Sequence, residues 1–184
     1  MNSEVFVGHG EGGIPKKIFA GSRFSGIITG KSGNPLNIDI SQGSISIADI
    51  LPDSPCHYIA SVSAGVLDFD VRTRGFKGFS SNKHPDLYYS DLLKESLEYF
   101  RRNGTKIDTV HSEWEYNPEE DKTSDYYYEF IGMATNSSPM DVLIKAAKLT
   151  TPGKIFVGLG FKTVDKVEWH RMTKLEKIVV DFKR

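Results

Sequence analysis

The sequence predicts an α+β (or α/β) fold, in which a mixed, mainly antiparallel central sheet carries a crossover helix. Three consecutive segments predict the crossover. An alternating apolar run at 66–73 is followed by a helical pattern at about 85–103 and by a second apolar run at 106–111, which together have the size of one strand–helix–strand unit. Helical patterns between about 123 and 159 then predict two or three further helices before a closing hairpin.

Residues 1–56 are predicted to be a β-rich and loop-rich N-terminal part. Turn-forming sequences rich in glycine, serine and asparagine separate four strand patterns, at 4–7, 24–29, 36–40 and 44–48. A hairpin is predicted next, in which a strand at 57–63 is joined through Ala64 and Gly65 to the strand at 66–73. Apolar and charged residues alternate along the second strand, so we expect one face in the core and one in solvent.

The helix at about 85–103 has the strongest pattern in the chain. Its apolar residues recur at helical spacing, and charged residues cover much of the remaining surface. Pro85 suits the first turn, and the sequence from Arg101 to Gly104 is a C-terminal stop signal. Further helix starts are predicted at Ser124 or Asp125, at Ser138 and at Thr151.

Length and composition favour a single domain over residues 1–184. Of these residues, 39% are hydrophobic and 26% are charged, and the single cysteine, Cys56, excludes an internal disulfide. Scattered histidines without ligand spacing predict no metal site. The 23 basic and 24 acidic residues give a net charge of −1, which predicts no basic surface for nucleic acid or an anionic membrane.

The N-terminus and the hydropathy pattern bear on where the protein works. No basic segment followed by an apolar core marks a signal peptide, and no apolar run approaches the length of a membrane span. We therefore expect a cytoplasmic protein, or one exported by a dedicated secretion system without a cleavable signal peptide. The oligomeric state cannot be deduced from these patterns.

Two elements in the C-terminal part have counterparts in a known family. The helix sequence Leu92-Leu93-Lys-Glu-Ser-Leu97-Glu-Tyr-Phe-Arg-Arg-Asn-Gly104 precedes a strand, and Leu159-Gly160-Phe161-Lys-Thr-Val164 opens the closing hairpin. In this order they resemble the first core helix and the "GF" element of a GNAT-type N-acetyltransferase, over about residues 57–184. The resemblance implies a GNAT-like core, in which a helix packs behind two splayed parallel strands, with acetyl-CoA as the acyl donor.

The resemblance also implies where the donor binds. Family members hold its pyrophosphate on a basic, glycine-rich turn before the core helix, which corresponds here to Lys83 and His84. The preceding strand ends at Val71 and Thr73, which are the other implied donor-binding residues.

Several residues depart from the family pattern around this implied donor site. Leu87 and Tyr89 occupy the glycine positions, Asp86 adds a negative charge, and Phe156 replaces the usual general-acid tyrosine. A side chain on a cradle position blocks the close approach of a phosphate. The implied function is therefore an acyltransferase with an atypical donor site, or a former enzyme now used for binding.

The candidate catalytic residues are His111, Glu113 and Glu115. The two glutamates are separated by one residue, so their carboxylates lie on the same side of an extended chain. In an acyltransferase Glu113 sits just past the splayed strand as a general base for an amine, which requires a raised pKa or a water relay. His111 alternates with Ile107 and Thr109, so a position at the edge of the core is the alternative for it.

The same glutamates allow a second enzymatic interpretation. The chain resembles an arginine-type mono-ADP-ribosyltransferase in the order of three short sequence pieces. These pieces are Arg23, then Ser61-Val62-Ser63, and then Glu113 and Glu115. The long helix lies between the serines and the glutamates, where that family has mainly β structure. This interpretation implies NAD as the substrate.

An aromatic cluster beside an acidic loop suggests a non-enzymatic alternative. Trp114, Tyr116 and the segment Tyr126–Phe130 form the cluster, and Glu119 and Asp125 are among the acidic residues near it. Part of the cluster must pack as core, and the remainder is a candidate surface for a protein partner, because tyrosine and tryptophan are favoured at interfaces. The acidic surroundings favour a basic partner.

Overall fold

The computed structural model describes residues 23–30, 32–51, 54–73, 84–87, 89–119 and 123–184. The strands in these ranges are β1 (Phe24–Thr29), β2 (Pro35–Ile40), β3 (Ser44–Asp49), β4 (His57–Ser63), β5 (Val66–Arg72), β6 (Thr109–Tyr116), β7 (Thr163–Arg171) and β8 (Glu176–Lys183). The helices are α1 (Tyr89–Arg102), α2 (Asp125–Ile131), α3 (Met140–Leu149) and α4 (Thr151–Gly158).

The described strands form one mixed sheet in the order β1-β2-β3-β4-β5-β6-β8-β7. The pairs β1–β2, β2–β3, β3–β4, β6–β8 and β7–β8 are antiparallel. The pair β5–β6 is parallel, through Val66 with Thr109 and Leu67 with Val110. Parallel neighbours need a crossover connection. In the chain this connection contains α1, which follows β5 and precedes β6 as predicted. The α+β class with a mixed, mainly antiparallel sheet is confirmed.

Within this fold the chain packs as two compact units. The first unit contains the described residues up to Ala64 together with Phe69–Lys106, and thus β1 to β4, the end of β5 and α1. The second unit contains Gly65–Asp68 and Ile107–Arg184, and thus the start of β5, β6 to β8 and the last three helices.

The core of the first unit lies on one face of its strands. Alternate strand residues are buried there, namely Leu36, Ile38, Ile40, Ile45, Ile47, Tyr58 and Ala60. Helix α1 packs against β4, and the hydroxyl groups of Tyr58 and Ser96 are hydrogen-bonded at 2.9 Å. The Tyr99 hydroxyl donates to the carbonyl of Ser41 at 3.1 Å. The alternate apolar residues of the strands and the apolar face of the helix therefore form one core.

The core of the second unit lies between its helices and one face of β6, β8 and β7. Trp114 of β6 packs against Phe130 of α2, with ring centroids 5.6 Å apart. Phe156 of α4 packs against Phe182 of β8, with centroids 4.9 Å apart. Alternate residues of β6 and β8 are buried on this face: Val110, Ser112, Trp114, Ile178, Val180 and Phe182. The residues between them lie on the opposite face of these strands.

The start of α4 is fixed by a buried N-cap. The hydroxyl of Thr150, which is fully buried, accepts from the N–H of Gly153 at 3.1 Å and donates to the carbonyl of Ala147 at 2.8 Å. Gly153 leaves no room for a side chain, because an added Cβ would lie 2.0 Å from the oxygen of Ala147. At the other end Gly160 has φ +98°, a conformation that glycine adopts without strain.

The structure moves two predicted boundaries. Helix α1 begins at Tyr89, and Pro85 lies in a turn before it instead of in its first turn. Strand β6 begins at Thr109 and runs to Tyr116, so the predicted strand at 106–111 is misplaced. All eight residues of β6 pair with β8. The ends of β6 are therefore set by a strand that is distant in sequence, and local periodicity could not predict them.

Two further helix predictions have different outcomes. Ser124 caps α2 as predicted, by accepting from the N–H of Tyr126. Ser138 does not cap α3, because the N-cap is Pro139 and the Ser138 hydroxyl accepts from the N–H of Thr135. In the described ranges, no helix combines the length and the hydropathy that a membrane span requires. The predicted strand at 4–7 lies outside those ranges.

Candidate functional site

The antiparallel pair β6–β8 places four ionisable side chains together on the face opposite the helices. His111 and Glu113 lie two residues apart on β6, and Lys177 and Asp181 lie on β8. His111 is directly opposite Asp181 in the register, and Lys177 is opposite Glu115. We call His111, Glu113, Lys177 and Asp181 the charged face. Residues opposite each other or diagonal across such a pair are close enough for their side chains to interact.

His111 lies between two carboxylates of the charged face. Its Nδ1 is 2.6 Å from Oδ1 of Asp181, and its Nε2 is 3.3 Å from Oε1 of Glu113. The other oxygen of Glu113 accepts from Nζ of Lys177 at 2.6 Å. Because a carboxylate only accepts, both contacts of His111 are hydrogen bonds only when both ring nitrogens carry a proton. The geometry therefore favours the imidazolium form.

The electrostatics of the charged face follow from these contacts. Burial lowers the pKa of His111, but the hydrogen bonds with Asp181 and Glu113 raise it, and the net shift is upward. The negative charge of Asp68, on β5 in the same unit, adds to the upward shift. Burial raises the pKa of Glu113, but Lys177 and His111 lower it, and the net shift is downward. The two contacts of His111 thus favour its protonated form, and those of Glu113 favour its ionised form.

Strand β7 continues this side of the sheet with further charges. Glu168 accepts from Lys166 at 3.0 Å and lies 3.1 Å from Nε2 of His170. These three side chains are partly or largely exposed. Val179, which is paired with both Glu113 and Glu168, is buried beneath the surrounding side chains. The four-residue charged face therefore lies inside a larger polar surface.

The structure brings the three predicted catalytic residues onto one strand. His111, Glu113 and Glu115 occupy alternate positions of β6, whereas Glu113 was expected to lie just past a strand. Oε1 of Glu115 accepts from the side-chain amide of Asn117 at 3.1 Å. The lowered pKa of Glu113 removes one of the two conditions under which it was expected to act as a base. His111, with a raised pKa, is the better proton acceptor of the three.

Sequence analysis missed Asp181 and Lys177. Both are charged residues that alternate with apolar ones near the end of the chain, in Lys177-Ile-Val-Val-Asp181. Asp181 is separated from His111 by 70 positions, and only the register of β6 with β8 brings them together. The alternation of these charged residues with apolar ones predicts that they lie on the solvent-exposed face of a strand. It does not predict that one of them contacts His111.

Three of the four predicted donor-binding residues, Val71, Thr73 and His84, belong to the first unit. Val71 is in β5, Thr73 follows it, and Lys83 lies outside the described residues. The N–H of His84 donates to the carbonyl of Thr73 at 2.6 Å, and Nε2 of His84 is 3.5 Å from Oδ2 of Asp49, with both side chains nearly buried. His84 thus contacts Thr73 and Asp49, which belong to the same unit.

The residues after His84 do not form a phosphate cradle. The carboxylate of Asp86 accepts from the backbone N–H of Ser32 at 2.7 Å and from its hydroxyl. This contact requires Gly30, because an added Cβ there would lie 2.4 Å from the carboxyl carbon of Asp86. Leu87 is fully buried. A phosphate site needs free N–H groups, but this segment has the carboxylate of Asp86 and the buried side chain of Leu87. The segment therefore does not fit the pyrophosphate of acetyl-CoA.

The aromatic cluster is largely core. Trp114, Tyr127 and Phe130 are buried, whereas Tyr128 is 54% exposed. Tyr116 stacks on Tyr127, with centroids 5.3 Å apart. A recess of about 270 Å³ lies beside Tyr116 and is lined by Pro118, Glu119, Met172, Lys174, Leu175 and Glu176. The exposed Tyr128, the half-buried Tyr116 and Tyr126, and this recess keep part of the predicted partner surface accessible.

The remaining candidate residues are divided between the two units. Arg23 pairs with Asp39 at 3.7 Å, and Ser61 and Ser63 are exposed on β4, all in the first unit. Glu113 is in the second unit. Across the described residues, no three side chains of the metal-binding types gather into a site.

Comparison with known proteins leaves the charged face as the main evidence on function. No family model matches the chain, and neither a curated protein nor a solved structure is significantly similar to it.

Proposed function

We propose that the chain is a GNAT-like domain that transfers an acyl group to an amine, with His111 as the general base. The observation that carries the proposal is the position of His111 between Asp181 and Glu113, at 2.6 and 3.3 Å. The order of the elements supports it: a parallel pair of strands joined by α1, then helices, then the hairpin β7–β8 with β8 beside β6. This order is the one that the family resemblance implies.

The charged face supplies the proton acceptor that this reaction requires. As the amine nitrogen attacks the acyl carbonyl of a thioester, the C–N bond forms, the C–S bond breaks and a thiolate leaves. The proton lost by the amine passes to Nε2 of neutral His111. Asp181, which accepts from Nδ1, stabilises the imidazolium that forms, as a carboxylate does in other histidine-based sites. Lys177 neutralises Glu113, which keeps Glu113 from competing for the proton.

Donor recognition by the proposed domain differs from that of the family. Because Asp86 and Leu87 leave no phosphate cradle, the phosphates contribute little to binding. We therefore expect acetyl-pantetheine, which lacks the nucleotide and its phosphates, to serve as a donor within about threefold of acetyl-CoA. A strong preference for acetyl-CoA would show that a phosphate site exists elsewhere.

The test is acyl transfer from acetyl-CoA to a panel of primary amines, followed by release of the free thiol. We expect His111→Gln to lower the rate by about 100-fold or more, in the range of general-base contributions. The matched control is His170→Gln, since His170 lies on the same sheet but contacts only Glu168 among these groups. Equal rates for the two variants would remove His111 from the mechanism.

A second candidate function is protein binding through the recess beside Tyr116. Glu119 is 57% exposed there and pairs with the exposed Lys174 at 2.8 Å, so a basic partner segment could replace Lys174. Tyr128, largely exposed, contacts Tyr116 edge-to-face. We expect Glu119→Lys to abolish capture of a basic peptide, while Glu168→Lys, on the opposite face of the sheet, leaves capture unchanged. Equal capture by both variants would exclude this recess.

A further inference from the structure

Asp181, the strongest partner of His111, has a second cationic neighbour. In the register of the sheet, Asp181 of β8 is paired with His111 of β6 on one side and with Lys166 of β7 on the other. Residues directly opposite each other on antiparallel strands are close enough for their side chains to interact. The carboxylate of Asp181 therefore lies between two groups that carry positive charge when protonated, and the mechanism proposed above uses only one of them.

Lys166 is held on this side of the sheet by a contact on its own strand. Its Nζ donates to Oε2 of Glu168 at 3.0 Å, and the two residues occupy alternate positions of β7. The hydrogen bond with Glu168 is the main cause of the raised pKa of Lys166, burial opposes it, and the charges of Asp181 and Glu113 add to it. Lys166 thus interacts with both of the carboxylates that His111 contacts.

We propose that Lys166 is a positioning residue, which shares the carboxylate of Asp181 with His111 and thereby limits how strongly His111 holds its proton. A carboxylate that interacts with a second cation stabilises an imidazolium less. The inference rests on the function proposed for His111, because a histidine that holds its proton less strongly is neutral, and able to act as a base, over a wider range of pH.

The carboxylates around His111 explain why sharing Asp181 matters. Burial lowers the pKa of His111 and three carboxylates raise it, namely Asp181 and Glu113 through hydrogen bonds and Asp68 of β5 through its charge. The contribution of Asp181 is the largest of the three. A cation beside Asp181 therefore opposes the main interaction that keeps His111 protonated.

Two further lysines on this side of the sheet pair with other carboxylates. Lys177 pairs with Glu113 at 2.6 Å, and Lys183 pairs with Asp165 at 2.5 Å. Lys166 differs from both, because it is directly opposite the carboxylate that contributes most to the protonation of His111. Lys166 is therefore the lysine whose removal tests the proposed sharing.

The test is nuclear magnetic resonance titration of His111 in the full chain. We expect Lys166→Met to raise the pKa of His111 by about 0.2 to 0.7 of a pH unit, the range for a partly exposed charge pair. The control is Lys174→Met, because Lys174 pairs with Glu119 at 2.8 Å in the turn between β7 and β8. Lys174→Met should leave the pKa of His111 unchanged, and circular dichroism should show that both variants remain folded.

A second background shows whether Lys166 acts through Asp181. In Asp181→Asn the shared carboxylate is gone, so adding Lys166→Met should leave the pKa of His111 where Asp181→Asn alone puts it. Three results would overturn the proposal: no shift in Lys166→Met, an equal shift in Lys174→Met, or a shift that persists in the Asp181→Asn background. The last would mean that Lys166 acts directly on His111.

The rate of acyl transfer separates this inference from the proposed function. Where transfer is observed, its dependence on pH should move to higher pH in Lys166→Met by the same amount as the pKa of His111. If the pKa shifts as expected and no transfer is detected, the proposed function fails and the sharing of Asp181 stands. If transfer depends on His111 but Lys166→Met leaves its pKa unchanged, only the sharing fails.

Discussion

A histidine held between two carboxylates has a defined charge preference. In its imidazolium form, His111 donates to Asp181 and Glu113 at once, and on losing a proton it must give up one of these hydrogen bonds. The contact with Glu113 is the longer of the two, so it is the one expected to be lost. Deprotonation of His111 therefore frees the Nε2 atom, which is the atom that the proposed reaction uses.

The first residue-scale prediction concerns the pKa of His111. We expect nuclear magnetic resonance titration to give a value above that of a free histidine, and Asp181→Asn to lower it, because Asp181 supplies the largest upward contribution. The control is Asp165→Asn, since Asp165 pairs with Lys183 and has no contact with His111. If Asp181→Asn and Asp165→Asn give the same pKa as the wild type, the Asp181 contact has no electrostatic effect.

A second residue-scale prediction concerns the dependence of activity and stability on pH. Because the pKa of His111 is raised on folding, its charged contacts stabilise the fold fully below the unfolded value of about 6.5 and lose this effect as the pH rises through the folded value. Acyl transfer should show the opposite trend, since only neutral His111 accepts a proton. A rate that falls as the pH rises through the His111 pKa would contradict the general-base assignment.

The candidate site was predictable only in part at this scale. The spacing of Glu113 and Glu115 predicted that both carboxylates lie on one side of an extended chain, and both residues occupy alternate positions of β6, although the strand itself was predicted to end at His111. Asp181 was not predictable, because its proximity to His111 depends on the register of two strands far apart in sequence. Burial of Trp114 was also hidden, since aromatic residues occur both in cores and at interfaces.

At the scale of the elements, the start of α4 is the most constrained point of the second unit. The side chain of Thr150 and the backbone of Ala147 close around Gly153. Glu129 of α2 adds two hydrogen bonds, accepting from the N–H and the hydroxyl of Thr151. These contacts join α2, α3 and α4 at one position, which supports the core behind the charged face.

The prediction for this element is a pair of glycine substitutions. Gly153→Ala should lower the free energy of unfolding by about 3 kcal/mol or more, because its Cβ would lie 2.0 Å from the Ala147 oxygen. Gly158→Ala, at the other end of α4, has open space around it and should be neutral or stabilising by up to about 1 kcal/mol. Urea unfolding measures both, and equal effects would show that α4 does not approach α3 as described.

Local signals located the elements better than they located their ends. Helix α1 was predicted from its apolar spacing, but its start was placed at Pro85, where Asp86 instead bonds to Ser32 in a turn. The bounds of β6 were misplaced because its ladder partner is β8, and a long-range partner leaves no mark on local periodicity. The N-cap of α2 was correct because Ser124 acts on its own neighbours.

At the scale of the whole molecule, the fold class was predictable because the order of strand and helix patterns along the chain determines which neighbours are parallel or antiparallel. A strand, a long helix and a second strand require a parallel pair, and the remaining hairpins give antiparallel neighbours. The sequence did not predict two compact units, which share β5 between them. Nothing in local composition marks that division, since apolar and charged residues alternate through β5 without interruption.

A fold of this class does not specify its chemistry, so the central claim needs a direct test of donor binding. The most direct measurement is calorimetric titration of the full chain with acetyl-CoA, with NAD as a parallel ligand. We expect acetyl-CoA to bind in the micromolar range, about −8 kcal/mol, and NAD to give no heat. Heat from NAD alone would favour ADP-ribosyl transfer, and no heat from acetyl-CoA would contradict the acyltransferase proposal.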